Sequence, residues 1–301
     1  MAKVGVLSAS KITSYEFCPL HFYFRYISHE KVAEPSCFTF GKAIHYMLKL
    51  FYDKNFKSAE NFTKFWKYYW YVFKLGIKFE TSDGRKQTFK ELDKQVRKLK
   101  EEKKFNFKNF YEVTYYANLG ARILKKFYHK NLPKPKLYEK KFKIKFKGHE
   151  IQGVWDRIDD TDEGPILLDY KTDRYSPKSK EDLFLLHRHP QFTIYDLAHR
   201  IEFGRAPRKI IFHHLRTGKA VKTKRSKEDH DYLNALLDKV AYGIESDEFT
   251  PFYSPFKCRK CMYIGPCAHF GIGVGPKLRE LEKAMAVEPD IDPFFSWSED
   301  R

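Results

Sequence analysis

The chain is short of acidic residues. It holds 39 Asp and Glu against 57 Lys and Arg in 301 residues, a formal net charge of +18. No apolar run approaches the ~20 residues that a membrane helix needs, which excludes a helical span. The opening stretch Met1–Leu7 lacks the apolar core of an export signal, so a soluble cytoplasmic protein with no membrane partner is expected. Only five cysteines are present, and an odd count in such a chain argues against a disulfide framework. There is no internal repeat and no long Gly/Ser linker. There is no Gly-x4-Gly-Lys-Ser/Thr loop either, so a helicase motor would have to be a separate chain.

What is present points to a folded protein with a polyanionic partner. Apolar residues at 42% and charged residues at 32% argue against wholesale disorder, and the length allows one large domain or two small ones. A balance this basic suits nucleic acid or an acidic membrane surface, and aromatics at 17% suit base stacking as well as core packing. The charge is uneven: residues 53–130 hold 20 basic and 9 acidic residues, a net of +11. Within them Phe62, Phe65, Trp66, Tyr69, Trp70, Phe73 and Ile77 repeat at helical spacing. Lys64, Lys67, Lys74 and Lys78 fall mostly on the opposite side, where they are expected to track phosphates while tyrosines stack on bases.

The coarse element order is helical first and mixed afterwards. Residues 8–28 read as one helix and about 41–53 as a second, followed by helices at 62–77, 88–104 and 109–130. Tyr138–Phe146 alternates as a strand, Ile151–Ile158 is a second and Ile166–Tyr170 a buried third. Pro190 opens a helix to about 203, strands follow at 208–215 and 220–223, and 229–245 is helical. A short helix near 276–287 and an acidic tail from 288 close the chain. The expected fold class is α/β, a mixed β-sheet core flanked by helices.

The strand ends carry the chemistry. Asp156 ends one strand, and Asp169-Tyr170-Lys171 ends the next. Two carboxylates brought to one point suit Mg²⁺ or Mn²⁺, which prefer hard oxygen ligands, and the Tyr170 carbonyl would extend the shell. Asp169 and Lys171 lie two apart on a strand and share a face, so the lysine can orient or deprotonate a water beside the metal.

The ordered set Gly41-x3-His45, Gly153-x2-Asp156-Arg157-Ile158-Asp159, Asp169-Tyr170-Lys171 and Gln191-x3-Tyr195 resembles the RecB branch of the PD-(D/E)XK nuclease superfamily. Leu7-Ser8-Ala9-Ser10-Lys11-Ile12, followed by Cys18-Pro19, resembles it too. The resemblance spans about 7–52 and 138–270 and implies a restriction-endonuclease-like core. That core would run over 131–250 with N-terminal helices in 1–52, and 53–130 would be a basic helical insertion. It implies that His45, Asp156, Asp169 and Tyr170 hold the metal, that Lys171 is the catalytic lysine, and that Gln191 and Tyr195 position DNA from one helical face. Arg157 is expected among the nucleic-acid contacts, and Glu139 sits where relatives often carry an acidic residue. The implied activity is a Mg²⁺- or Mn²⁺-dependent DNA exonuclease acting on ends or single strands, in recombination, repair or replication. Alternatives are a nuclease subunit of a recombination or CRISPR-adaptation complex, and a catalytically silent nucleic-acid-binding module.

Cys258-x2-Cys261-x5-Cys267 needs a fourth ligand. Spacing alone favours His269 and a zinc site. The resemblance reverses that preference. Iron–sulfur members of the branch, among them the AddB nuclease and the CRISPR-associated adaptation nuclease, carry one N-terminal and three C-terminal cysteines. It implies a [4Fe-4S] cluster on Cys18, Cys258, Cys261 and Cys267, in a segment spanning 251–287, with Cys37 left over as a packed thiol.

Overall fold

The structure, a computed structural model, describes residues 5–130, 132–174 and 176–268. The expected helix near 276–287, the acidic tail and His269 lie outside the described residues. Two compact units divide the chain: Met1–Glu30 with Pro135–Arg301, and Lys31–Lys134. No helix among the described residues is long and apolar enough to cross a membrane.

The first unit opens with α1 (Ala9–Phe17) and α2 (Pro19–Tyr26), where one helix was expected. The break falls at Cys18, which is extended at φ −168°, ψ 122°. Pro19 disfavours the helical region for the residue before it and starts α2 at its first position. Ser8 caps α1 through the Lys11 N–H.

The second unit is helical. A short strand β1 (Glu34–Pro35) pairs in parallel with β2 (Phe105–Asn106). Its helices are α3 (Ser36–Asp53), α4 (Ala59–Tyr68), α5 (Phe89–Glu101) and α6 (Phe110–His129). A π-helical turn, Tyr69–Lys74, continues α4. The apolar positions read from the sequence form the core. Trp66 and Trp70 are fully buried against Phe40, and their indole N–H groups donate to the α6 carbonyls of Ala117 at 2.7 Å and Val113 at 3.0 Å. This compact unit takes in α3 along with the basic segment and carries 24 basic and 10 acidic residues, a net of +14.

Gly120 permits the α4–α6 approach, because a Cβ there would collide with the Trp66 indole. On an exposed helix face, Gly→Ala would gain up to about 1 kcal/mol of propensity. Here overpacking, at about 1–3 kcal/mol, outweighs it. Gly120→Ala is therefore expected to lower Tm by a few degrees in calorimetry; a raised Tm would contradict this packing.

The rest of the first unit is a five-stranded sheet in the order β3 (Leu137–Phe146), β4 (His149–Asp159), β5 (Ile166–Lys171), β6 (Lys209–His214), β7 (Ala220–Thr223). β5 and β6 are parallel and the other neighbours antiparallel, so the sheet is mixed, as expected. α7 (Lys180–Arg188) and α8 (Pro190–Phe203) connect β5 to β6, as a parallel pair requires. α7 has no counterpart in the sequence reading. α9 (Lys227–Glu245), α10 (Pro255–Arg259) and α11 (Ile264–Ala268) follow β7. The core gathers Phe142, Ile151, Trp155, Leu167, Phe192, Ile210, Phe212 and Leu237 beside Ile12 of α1. The Phe142 ring lies over Gly153 on the neighbouring strand, where a Cβ would meet it.

Candidate active site

Strand register brings the acidic residues together. The β4–β5 ladder runs Asp159↔Ile166, Ile158↔Leu167, Arg157↔Leu168, and one further step sets Asp156 across from Asp169. The β3–β4 ladder skips the Glu139 position between Tyr138↔Arg157 and Lys140↔Trp155, and that position faces Asp156. Residues directly opposite on antiparallel strands are near neighbours. Carboxylate oxygens of Glu139 and Asp156 accordingly lie within 4.8 Å of one another. Glu139 has a left-handed backbone, φ 48°, which for a non-glycine costs on the order of 1–3 kcal/mol. That conformation interrupts the strand alternation, leaving both Lys140 and Lys141 exposed and Glu139 half-buried.

A second set of bonds fixes Asp169 and Lys171. Asp169 is 1% exposed, and its Oδ2 pairs with the Lys171 ammonium at 2.9 Å. Gln191, in the first turn of α8, joins them: its Oε1 accepts from Lys171 Nζ at 2.9 Å and its Nε2 donates to Asp169 Oδ1 at 3.0 Å. The same Nε2 donates to the Tyr195 hydroxyl at 2.8 Å, one helical turn on. Oxygen toward the cation and nitrogen toward the carboxylate is the one amide orientation that satisfies all three neighbours. Asp156 Oδ2 accepts from the Tyr170 N–H at 2.7 Å, tying the ends of β4 and β5.

The electrostatics follow from burial and crowded negative charge. Burial pushes the Tyr195 hydroxyl well above its usual range, and the nearby Asp169, Asp156 and Glu139 carboxylates push it further. The phenol therefore stays protonated. His189 caps α8, with Nδ1 accepting from the Gln191 N–H at 3.3 Å. Burial first, and then the Lys171 and Arg225 charges, press its pKa down to about 3. A neutral ring keeps Nδ1 as an acceptor and holds the turn that presents Gln191. His189 had no signal in the sequence beyond standing before Pro190.

A family model of the PD-(D/E)XK nuclease superfamily matches residues 6–268. The chain belongs to that superfamily. Asp169-Tyr170-Lys171 matches the carboxylate–any–lysine run of the PD-(D/E)XK name. No curated protein matches the chain. Among solved structures, a “Putative exonuclease” from Eubacterium rectale is similar at 10% identity, over 82% of this chain and 83% of that one, with a TM-score of 0.42. The crystal structure of SSO0001 is similar at 17% identity, over 42% of this chain and 57% of that one, with a TM-score of 0.28.

The remaining expected site residues of this PD-(D/E)XK nuclease fall in several places. Arg157 is 1% exposed, and its Nε donates to Asp159 at 2.7 Å. His45 is half-buried on α3 of the second unit, as is Cys37. Lys64, Lys67 and Lys78 are exposed, whereas Lys74 is half-buried with Nζ 5.4 Å from the Phe105 ring centre.

Cys18, Cys258, Cys261 and Cys267 line one cavity, walled by Phe17, Phe24 and Tyr263. Cys18 reaches it from the α1–α2 break, and its Sγ accepts the Phe252 N–H at 3.4 Å. Burial raises the Cys261 thiol pKa strongly, and the proximity of Cys18, Cys258 and Cys267 adds to that. Cys267 shifts the same way, through burial first and then Cys18 and Cys258. His21 also lines the cavity, with Nδ1 2.8 Å from Ser14 Oγ, and burial lowers its pKa to about 3.

Proposed function

We propose that this protein is a divalent-metal-dependent DNA exonuclease of the RecB branch, acting on ends or single strands in cytoplasmic DNA recombination or repair. The observation that carries the reading is the bonded set Asp169–Lys171–Gln191–Tyr195 beside the Glu139 and Asp156 carboxylates. The carboxylates and the Tyr170 carbonyl are hard oxygen donors, which fit Mg²⁺ or Mn²⁺. The proposed ligands are Glu139, Asp156, Asp169 and the Tyr170 carbonyl; His45 is proposed as a further ligand on the motif alone. The bound ion would neutralise charge on the scissile phosphate and acidify a water. Lys171, held as an ammonium by Asp169 and Gln191, would orient the attacking water and donate to the charge that develops on the phosphate. Asp169 and Gln191 hold the ammonium in place, and Tyr195 keeps the Gln191 amide from turning.

The second proposed group is a [4Fe-4S] cluster on Cys18, Cys258, Cys261 and Cys267. Four sulfurs lining one largely apolar cavity fit such a group. Its proposed role is to clasp the α1–α2 corner to the C-terminal segment. Zinc on the same thiols is the competing outcome, separated by iron and zinc analysis and by colour. Lys64, Lys67 and Lys78 are proposed phosphate contacts.

Digestion of 5′- and 3′-labelled single- and double-stranded DNA tests the reading. Cleavage with Mg²⁺ or Mn²⁺, no requirement for ATP, and products shortened from an end are expected. Intact DNA under all of these conditions would favour a silent binding module instead.

A further inference from the structure

The helical unit carries two sets of aromatic rings on the same segment. Trp66 and Trp70 face inward and are fully buried. Tyr68, Tyr69 and Phe73 form a second set that the core does not take up: Tyr68 is 54% and Phe73 68% exposed. Tyr46 of α3, 43% exposed, stacks on Tyr69 with ring centres 4.9 Å apart and planes at 28°. Tyr68 meets Phe73 edge-on at 5.3 Å. These last two are five residues apart, a spacing that the π-helical turn Tyr69–Lys74 brings together and an α-helix would not. Cations flank the rings. Lys42 and Lys49 sit four before and three after Tyr46 on the exposed face of α3, and Lys64 sits one turn before Tyr68.

We infer that Tyr46, Tyr69, Tyr68 and Phe73 are a base-stacking platform for a single nucleic-acid strand, with Lys42, Lys49 and Lys64 taking its phosphates. The occupant follows from chemistry. A patch of exposed rings on a unit of net charge +14 suits a flexible polyanion that offers flat apolar faces. In a duplex those faces are already stacked on one another, so exposed rings favour a single strand over a double one. The inference rests on the nuclease reading for its partner class and concerns residues of the second unit alone.

The test is fluorescence anisotropy of the full chain with labelled oligo-dT and with a duplex of equal length, in EDTA. The Tyr46→Ala/Phe73→Ala protein is expected to bind oligo-dT at least about tenfold more weakly, with duplex affinity within about twofold. No charge is removed, so the slope of log K against log salt should not change. Tyr46→Trp/Phe73→Trp should restore affinity, and Lys42→Glu/Lys49→Glu should flatten the slope. Unchanged oligo-dT affinity, with wild-type circular dichroism and Tm, would overturn the platform. So would an equal loss from Tyr111→Ala/Tyr115→Ala, which removes exposed rings on a different helix, α6. A dimer dissolved by the alanine pair with DNA affinity intact would assign the patch to a second copy and overturn it too. A wild-type protein that binds this way yet never cuts DNA with Mg²⁺ or Mn²⁺ would lose the nuclease reading and keep the platform.

Discussion

Lys171→Ala is expected to cut DNA at least about a hundredfold more slowly than the wild-type chain while binding it equally well in the absence of metal. The ammonium is held from two sides, by Asp169 Oδ2 and Gln191 Oε1, each at 2.9 Å, and is still 21% exposed. It is thus both positioned and reachable by water. Its removal also leaves Asp169, 1% exposed, without its cation. Breaking a buried pair from one side costs about 3 kcal/mol or more, so the fold must be checked separately. Asp169→Asn paired with Lys171→Met removes both charges together and separates the two effects. If the double variant melts like wild type and does not cut, the loss is chemical. A Lys171→Ala protein that degrades DNA at the wild-type rate would remove this site from the reaction.

Cys261→Ala should have the second largest effect, expressed in stability and metal content rather than in the hydrolytic site. Burial and three neighbouring thiols disfavour its thiolate in the metal-free protein. A bound iron–sulfur or zinc centre would reverse that preference and link its own binding to folding. The variant is expected to lose most of its metal and colour and about 2 kcal/mol of stability, a Tm drop of about 3 °C in a protein of this size. Cys37→Ala, in the other unit, should change neither. A Cys261→Ala protein with wild-type iron, zinc and Tm would leave the four thiols without a metal.

Residues that declare themselves by period were legible without coordinates. Phe142 and Ile144 are buried between exposed lysines, as the alternation in β3 predicts. The two-residue spacing of Asp169 and Lys171 and the four-residue spacing of Gln191 and Tyr195 each placed a pair correctly, because both depend on one element's own repeat. Features that depend on two elements were not legible. That Asp156 stands one register step past the β4–β5 ladder, across from Asp169, is a property of strand pairing. The left-handed φ of Glu139 had no glycine to announce it. α7 was missed although Ser179 and Asp182 form its capping box, since nine residues give too few turns for a period to show. The Cys18–Pro19 break did have a local signal, but the strong apolar content on both sides outweighed it.

The split cysteine set also constrains how the protein is made. Cys18 and Cys267 line the same cavity, yet 249 residues of synthesis separate them. At about 5–20 residues per second, that interval is roughly 12–50 s. Throughout it the first thiol leaves the ribosome with no partners and stands open to oxidants or to the wrong metal. A centre on these four thiols could be loaded only after Cys267 has emerged, and the yield of loaded protein would then depend on how well the cell shields one early cysteine.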